Sequence, residues 1–231
     1  MRFRRPLQGP AATAFTAAPR PEDSLGWRDA GWCAVDLEMT GLNPRTDEIV
    51  AIGTMPISEG RVVLGGGMYT LVRASKRSQE GAVLIHKLRL ADVADAPSLE
   101  EGIDLVLEAL AGRIPVFHTA AIETAFLGRQ FGRRRVGLPA AADTEALGRT
   151  WLRHRDGGAA PKHGISLGRL AGALGQPAEA PHHALADALT TAQVFIALAS
   201  LLDTVAPQTV GSLLRASASE RPTAARRFGP G

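Results

Sequence analysis

Between Trp32 and Val72 the sequence reads as three consecutive strands with short connections, and this constrains the fold more than any other feature. The candidates are Trp32–Glu38, Glu48–Ile57 and, after the turn Ser58-Glu59-Gly60, Arg61–Val72, the last loosened by Gly65, Gly66 and Gly67. Parallel neighbours need a long crossover, so strands this close in sequence form an antiparallel meander. The period then changes. Ser98 reads as an N-cap with Glu101 three residues on, followed by Ile103, Val106, Leu107 and Leu110 at helical spacing. Ile114–Phe117 is a short buried strand, and a helix is expected over Ala120–Phe131. Leu138–Asp143 is a fifth strand candidate, followed by a helix to about Arg153. Ser166 caps a short helix through Leu174. The last helix runs from about Ala184 to Leu202, with Leu185, Leu189, Ala192, Ile196, Ala199 and Leu202 on one face. A meander followed by alternating strands and helices implies an α/β fold with a mixed sheet flanked by helices.

The chain of 231 residues is long enough for one such domain with tails, and 45% apolar and 21% charged residues fit a packed core. Residues 1–30 carry Pro6, Pro10, Pro19 and Pro21 without sustained periodicity and read as a flexible arm. Residues 203–231 read as a similar tail, leaving 31–202 as the folded domain. No apolar run reaches the ~18 residues of a membrane span, so no membrane partner is expected. Cys33 is the single cysteine, which excludes an intrachain disulfide framework and makes a reducing cytoplasm the simplest compartment. The net charge of +3 permits a polyanionic partner without requiring one. Only Lys76, Lys87 and Lys162 are lysines among 26 basic residues, so the arginines partly reflect a GC-rich genome.

Three groups of residues carry chemistry. Asp36 and Glu38 stand two apart on the first strand and project from one face. A solvated face explains such a pair, and so does a hard divalent cation that relieves its repulsion. The apolar strand around it and the Thr-Gly turn after it weigh against the solvated face. In His182-His183-Ala184-Leu185-Ala186-Asp187, the aspartate falls in the first turn of the last helix and His182 in the loop before it. The pair fits a proton acceptor beside a metal-binding carboxylate, or an acidic first turn with incidental histidines. Glu123, in the first turn of the Ala120–Phe131 helix, is open to the same two readings.

In this order and at these separations, the three groups resemble the DnaQ-like DEDDh family of 3′→5′ exonucleases, over roughly residues 32 to 202. Ile85-His86, Asp95-Ala96-Pro97-Ser98, Asp143-Thr144 and the Leu167–Leu174 helix resemble further family segments. The resemblance implies a ribonuclease H-like fold: a five-stranded mixed sheet with helices on both faces. It implies a two-metal site for Mg²⁺ or Mn²⁺, with Asp36, Glu38, Glu123 and Asp187 as ligands and His182 as general base. His183, one residue out of register, is a spectator on the loop. Thr40 and Leu42 fall where the family cradles the terminal nucleotide, and His86 falls near that pocket. The implied substrate is the 3′ end of single-stranded DNA or RNA, and a polymerase is an implied partner. Arg129, Arg133, Arg134 and Arg135, with Arg149, Arg153, His154, Arg155, Lys162 and His163, either steer the phosphate backbone or form a solvated surface. Glu123 replaces the usual aspartate, Ile122 the usual phenylalanine and Thr119 the usual asparagine. Three alternatives stay open: an oligoribonuclease-like enzyme on short RNA, a polymerase proofreading subunit, and a catalytically impaired nucleic-acid-binding relative.

Overall fold

A computed structural model describes residues 9–75, 78–79, 82, 87–157, 164–177 and 182–219 of the chain. Its central strand is β1 (Trp32–Met39), which runs antiparallel to β2 (Ile49–Ser58) and parallel to β5 (Ile114–Phe117). Beyond β5 lies β6 (Ala142–Asp143), also parallel. The outer edge of β2 is shared by β3 (Arg61–Val62), opposite Ile57 and Ser58, and β4 (Met68–Leu71), opposite Ala51 to Thr54. Six short strands thus fill five positions of one mixed sheet. The strand expected over Arg61–Val72 is broken by a 3-10 turn at Leu64–Gly66, where consecutive glycines leave no side chains to pack. The strand expected over Leu138–Asp143 is only two residues long.

Helices cover both faces. On one lie α1 (Pro10–Ala17), α2 (Leu99–Leu110) and α3 (Ala121–Arg133), packed on Cys33, Val35 and Leu37. On the other lie α4 (Thr144–Arg155), α5 (Leu167–Ala173), α6 (Ala184–Val205) and α7 (Val210–Ser219), packed on Trp32, Ala34, Met55 and Ile57. The expected capping box forms at α2: the Ser98 N–H donates to Glu101 Oε2 at 2.7 Å, and the Glu101 N–H donates to Ser98 Oγ at 3.3 Å.

The face of α6 differs from the expected one. Ala188, Phe195 and Leu198 reach the core beside Ala192, Ala199 and Leu202, while Leu185, Leu189 and Ile196 are only partly buried. The helix is covered by β1 and β2 on one side and by α4 and α5 on another, so apolar residues occur around its girth and periodicity does not select a face. By length and composition alone α6 passes as a membrane span, contrary to expectation. Here its apolar residues pack on the sheet.

The arm and tail also carry structure. Phe15 of α1 is buried and meets Phe131 edge to face, with centroids 5.6 Å apart. Trp27 is buried against Phe195, and its carbonyl accepts a 2.8 Å bond from Trp32 Nε1. Val210 and Leu213 of α7 enter the core, and Gly26 pairs with Thr209 in an antiparallel bridge. These segments therefore correct the flexible-arm and flexible-tail readings over residues 9–30 and 203–219. Each contributes too few anchors, spaced over too few turns, to register as a periodic face.

Candidate active site

The sheet places the carboxylates by register. Asp36 and Glu38 follow Trp32 and Ala34 on the α6 face of β1. Asp36 is opposite Gly53 of β2, which in turn is opposite Tyr69 of β4. Gly53 leaves a gap in this row, and the first turn of α6 sits in it: a Cβ there would overlap the carbonyl of Ala184 and the nitrogen of Leu185. This close approach brings Asp187 down onto the sheet, where oxygens of Asp36, Glu38 and Asp187 lie within 4.8 Å of one another. The sequence reading passed over Gly53. An isolated glycine inside a strand pattern is the signal that marks such an approach.

The turn leading into α6 is tightly determined. The His182 N–H donates to Asp187 Oδ2 at 2.7 Å, and the Asp187 N–H donates to the His183 carbonyl at 2.9 Å. His182 is exposed with φ of 68°, in the left-handed region that non-glycine residues rarely occupy. His183 is the N-cap residue, yet its side chain makes no capping bond. Its ring stacks on Tyr69 instead, with centroids 4.5 Å apart and planes 22° from parallel. The side chain read as a spectator on the loop thus has a defined packing partner. Nothing local in the sequence connects it to Tyr69.

Glu123 is positioned from the other side of β1. Ala120, the N-cap residue of α3, offers no side-chain cap. Asp143, at the end of the neighbouring strand β6, instead holds the turn leading into α3 while capping α4. It accepts from the N–H groups of Thr119 (3.2 Å), Ala120 (3.0 Å), Glu145 (3.0 Å) and Ala146 (3.4 Å). Thr119 turns the chain at φ of 62°, and its hydroxyl donates to Glu145 Oε2 at 3.0 Å. His118 Nε2 lies 2.8 Å from the Ile165 carbonyl, and its Nδ1 lies 2.8 Å from Thr144 Oγ1. A carbonyl only accepts, so Nε2 carries the proton. Glu123 itself is 8% exposed, and its Oε2 is buried without a partner. It stands outside the group formed by Asp36, Glu38 and Asp187, yet its charge acts on Asp36.

The electrostatics are those of crowded, desolvated acids. Burial, then the charges of Glu123, Glu38 and Asp187, hold the Asp36 carboxyl well above the ordinary range. Burial and the Asp187 charge push Glu38 up to about 7. Burial, with the Asp143 charge, pushes Glu123 up to about 8. Burial also raises Asp187, against the lowering effect of the His182 amide and the nearby histidines. An all-oxygen donor set with this repulsion, and a buried glutamate oxygen lacking a donor, fit a hard divalent cation such as Mg²⁺ or Mn²⁺.

Thr40 is 1% exposed and closes the loop after β1: its N–H donates to the Glu48 carbonyl at 2.9 Å and its Oγ1 accepts from the Glu48 N–H at 2.9 Å. Leu42, in that loop, is 65% exposed and free to meet a ligand. His86, Lys162 and His163 lie outside the described residues. Several expected backbone-steering arginines have internal partners instead. Arg129 donates to the carbonyls of Pro44 and Arg45 at 2.7 and 3.2 Å, tying α3 to the Leu42 loop. Arg134 pairs with Asp104 and Arg149 with Glu145.

The model of the family described as Exonuclease matches residues 33–195. The DNA polymerase III subunit epsilon-like protein of Rhodobacter capsulatus is 33% identical over 182 residues, 78% of this chain and 25% of that protein. The PolC-type DNA polymerase III of Thermotoga maritima is 28% identical over 180 residues, 78% of this chain and 13% of that protein. The chain thus spans a quarter or less of the length of these curated relatives. Among solved structures, Exonuclease X in complex with 5′-overhanging duplex DNA superposes with a TM-score of 0.62 at 22% identity, covering 80% of this chain and 99% of that one. Exonuclease I of E. coli in complex with a dT13 oligonucleotide superposes with a TM-score of 0.63 at 14% identity, covering 76% of this chain and 42% of that one. These superpositions establish a ribonuclease H-like fold.

Proposed function

This chain belongs to the DnaQ-like exonuclease family, and from that premise we propose that it removes nucleoside monophosphates from the 3′ end of single-stranded DNA or RNA. The observation that carries the reading is the convergence of Asp36, Glu38 and Asp187 within 4.8 Å from two elements remote in sequence. Asp36, Glu38 and Asp187, with Glu123 as a fourth carboxylate, would hold two divalent cations, Mg²⁺ or Mn²⁺. When bound, such ions neutralise the carboxylates and stabilise charge on the attacked phosphodiester. The protein's own part is then positional and protolytic. Leu42 packs against the terminal nucleotide, while buried Thr40 sets the loop that carries it. His182 accepts the proton of the attacking water as the water oxygen bonds to phosphorus and the 3′-oxygen departs. The adjacent amide-to-carboxylate bond, from His182 to Asp187, keeps base and ligand in one turn.

The test uses single-stranded DNA and RNA of several lengths, labelled at either end, with Mg²⁺, Mn²⁺ or EDTA. The expected result is immediate mononucleotide release from the 3′ label, a shortening ladder from the 5′ label, and no hydrolysis in EDTA. Release from the 5′ end, or full activity in Asp36→Ala, overturns the reading. A second reading, proofreading beside a polymerase, is favoured by the names of the two curated relatives. Co-purification with a polymerase tests it.

A further inference from the structure

We infer that Tyr69 and His183 form a positioning pair whose ring stack holds His182 and Asp187 in their working geometry, an inference that rests on the function proposed above. Four observations meet here. His182 adopts a left-handed backbone, which residues with a side chain rarely occupy and which persists only where the surroundings enforce it. One of its flanking residues, His183, occupies an N-cap position, where a side-chain oxygen would ordinarily bind the first free N–H groups of the helix. The imidazole forgoes that role and lies flat on Tyr69, 4.5 Å between centroids. Tyr69 belongs to β4 and is held in the same cross-strand row as Gly53 and Asp36. It stands close enough to Glu38 for that carboxylate, after burial, to raise its phenol.

The consequence is mechanical. The first turn of α6 is fixed on the sheet side by its approach to Gly53. The residue before it is fixed laterally by the stack on Tyr69. Both restraints act on the residues that immediately follow His182, and the chain they hold directs the His182 N–H onto Asp187 Oδ2. Without the stack, His183 is an exposed residue with no side-chain cap, and His182 can relax out of its strained conformation. Base and carboxylate then lose their common frame while the surface that meets the nucleotide, on the Leu42 loop, is untouched. Tyr69 and His183 are therefore positioning residues, expected to affect turnover rather than substrate affinity.

Two measurements on Tyr69→Ala, Tyr69→Phe, His183→Ala and the double variant Tyr69→Ala/His183→Ala test this. The first is steady-state hydrolysis of a single-stranded oligonucleotide. Each alanine variant is expected to lower kcat about tenfold with KM within about twofold, and the double variant to fall no further than the worse single, because the two side chains act as one unit. Tyr69→Phe, which keeps the ring, retains most of the turnover. The second is hydrogen exchange of the His182 amide without cation or substrate. Exchange is expected to accelerate in both alanine variants and to stay near wild type in Tyr69→Phe. This measurement does not depend on catalysis. A wild-type protein that fails to hydrolyse nucleic acid overturns the proposed function, while the exchange result still decides the fate of the stack. Losses that multiply in the double variant, a rise in KM at constant kcat, or unchanged His182 exchange each overturn the pair's role.

Discussion

Replacing Glu123 with glutamine is expected to raise the stability of the cation-free protein near neutral pH while abolishing hydrolysis once Mg²⁺ or Mn²⁺ is supplied. Glu123 is buried, one of its oxygens has no partner, and its carboxyl is held at about 8 against an ordinary 4.5. The folded-state value is the higher one. Between these limits the folded chain keeps a proton that the unfolded chain has released, so stability falls as pH rises. The slope from this one group is about 1.4 kcal/mol per pH unit, or about 3 kcal/mol between pH 5.5 and 7.5. Glutamine cannot ionise, so that slope disappears. At pH 7.5 the removed penalty is about 4 kcal/mol, and leaving a neutral amide partly unpaired takes back about 1–3 kcal/mol. The expected net gain is about 1–3 kcal/mol at pH 7.5, shrinking to nothing or reversing at pH 5.5. Urea unfolding in EDTA at the two pH values measures it. Glu38 and Asp36 tilt both proteins in the same direction, so the informative quantity is the difference in slope between wild type and variant. Parallel pH profiles would refute the reasoning: Glu123 would then be an ordinary helix-start acid. Adding Mg²⁺ or Mn²⁺ should reverse the ranking, because the chain that retains the fourth carboxylate binds the cations more tightly and gains more stability from them.

Gly53→Ala is expected to displace the first turn of α6 and lower kcat at least tenfold, with a stability loss of about 1–3 kcal/mol typical of overpacking; wild-type turnover and melting temperature would show that the helix does not need the gap. His182→Ala should lose about 10²–10⁴-fold in kcat and recover part of it at high pH, whereas an unchanged pH–rate profile would remove His182 from the base role. Phe15→Ala should cost about 3 kcal/mol in urea unfolding, since the ring is buried against Phe131, and a change near zero would restore the flexible-arm reading.

The features legible in the sequence were those encoded locally. Asp36 and Glu38 share a face because strands alternate, and Ser98 with Glu101 closes a capping box within four residues. Glu123 and Asp187 stand in first helical turns, where residue type and position coincide. The rest depends on partners distant in the chain. Asp143 reads as an N-cap for its own helix, but nothing near it discloses that it also holds the Thr119–Ala120 turn ahead of the helix carrying Glu123. Tyr69 and His183 meet only because β4 joins the edge of β2 and α6 returns across it. The buried face of α6 is not legible for a related reason. A helix covered on two sides carries apolar residues all round, and the choice of Phe195 and Leu198 over Leu189 and Ile196 is made by what surrounds it.

The pairing of residues 23–27 with residues 195–211 orders the events of synthesis. Trp27 leaves the ribosome well before Phe195, whose ring covers it. The Leu25 carbonyl accepts from the Val210 N–H, and the Asp23 carbonyl accepts from the Gly211 N–H. The two backbone bonds span more than 180 residues and, like the Trp27–Phe195 contact, carry a high loop-closure cost, so they form after the local helices and the meander. Until α6 and α7 have emerged, a nascent chain presents Trp27 and Trp32 to solvent, with Asp36 and Glu38 lacking Asp187. These two helices therefore close the core and complete the acid cluster together, and a chain interrupted before them lacks both its central packing and that cluster.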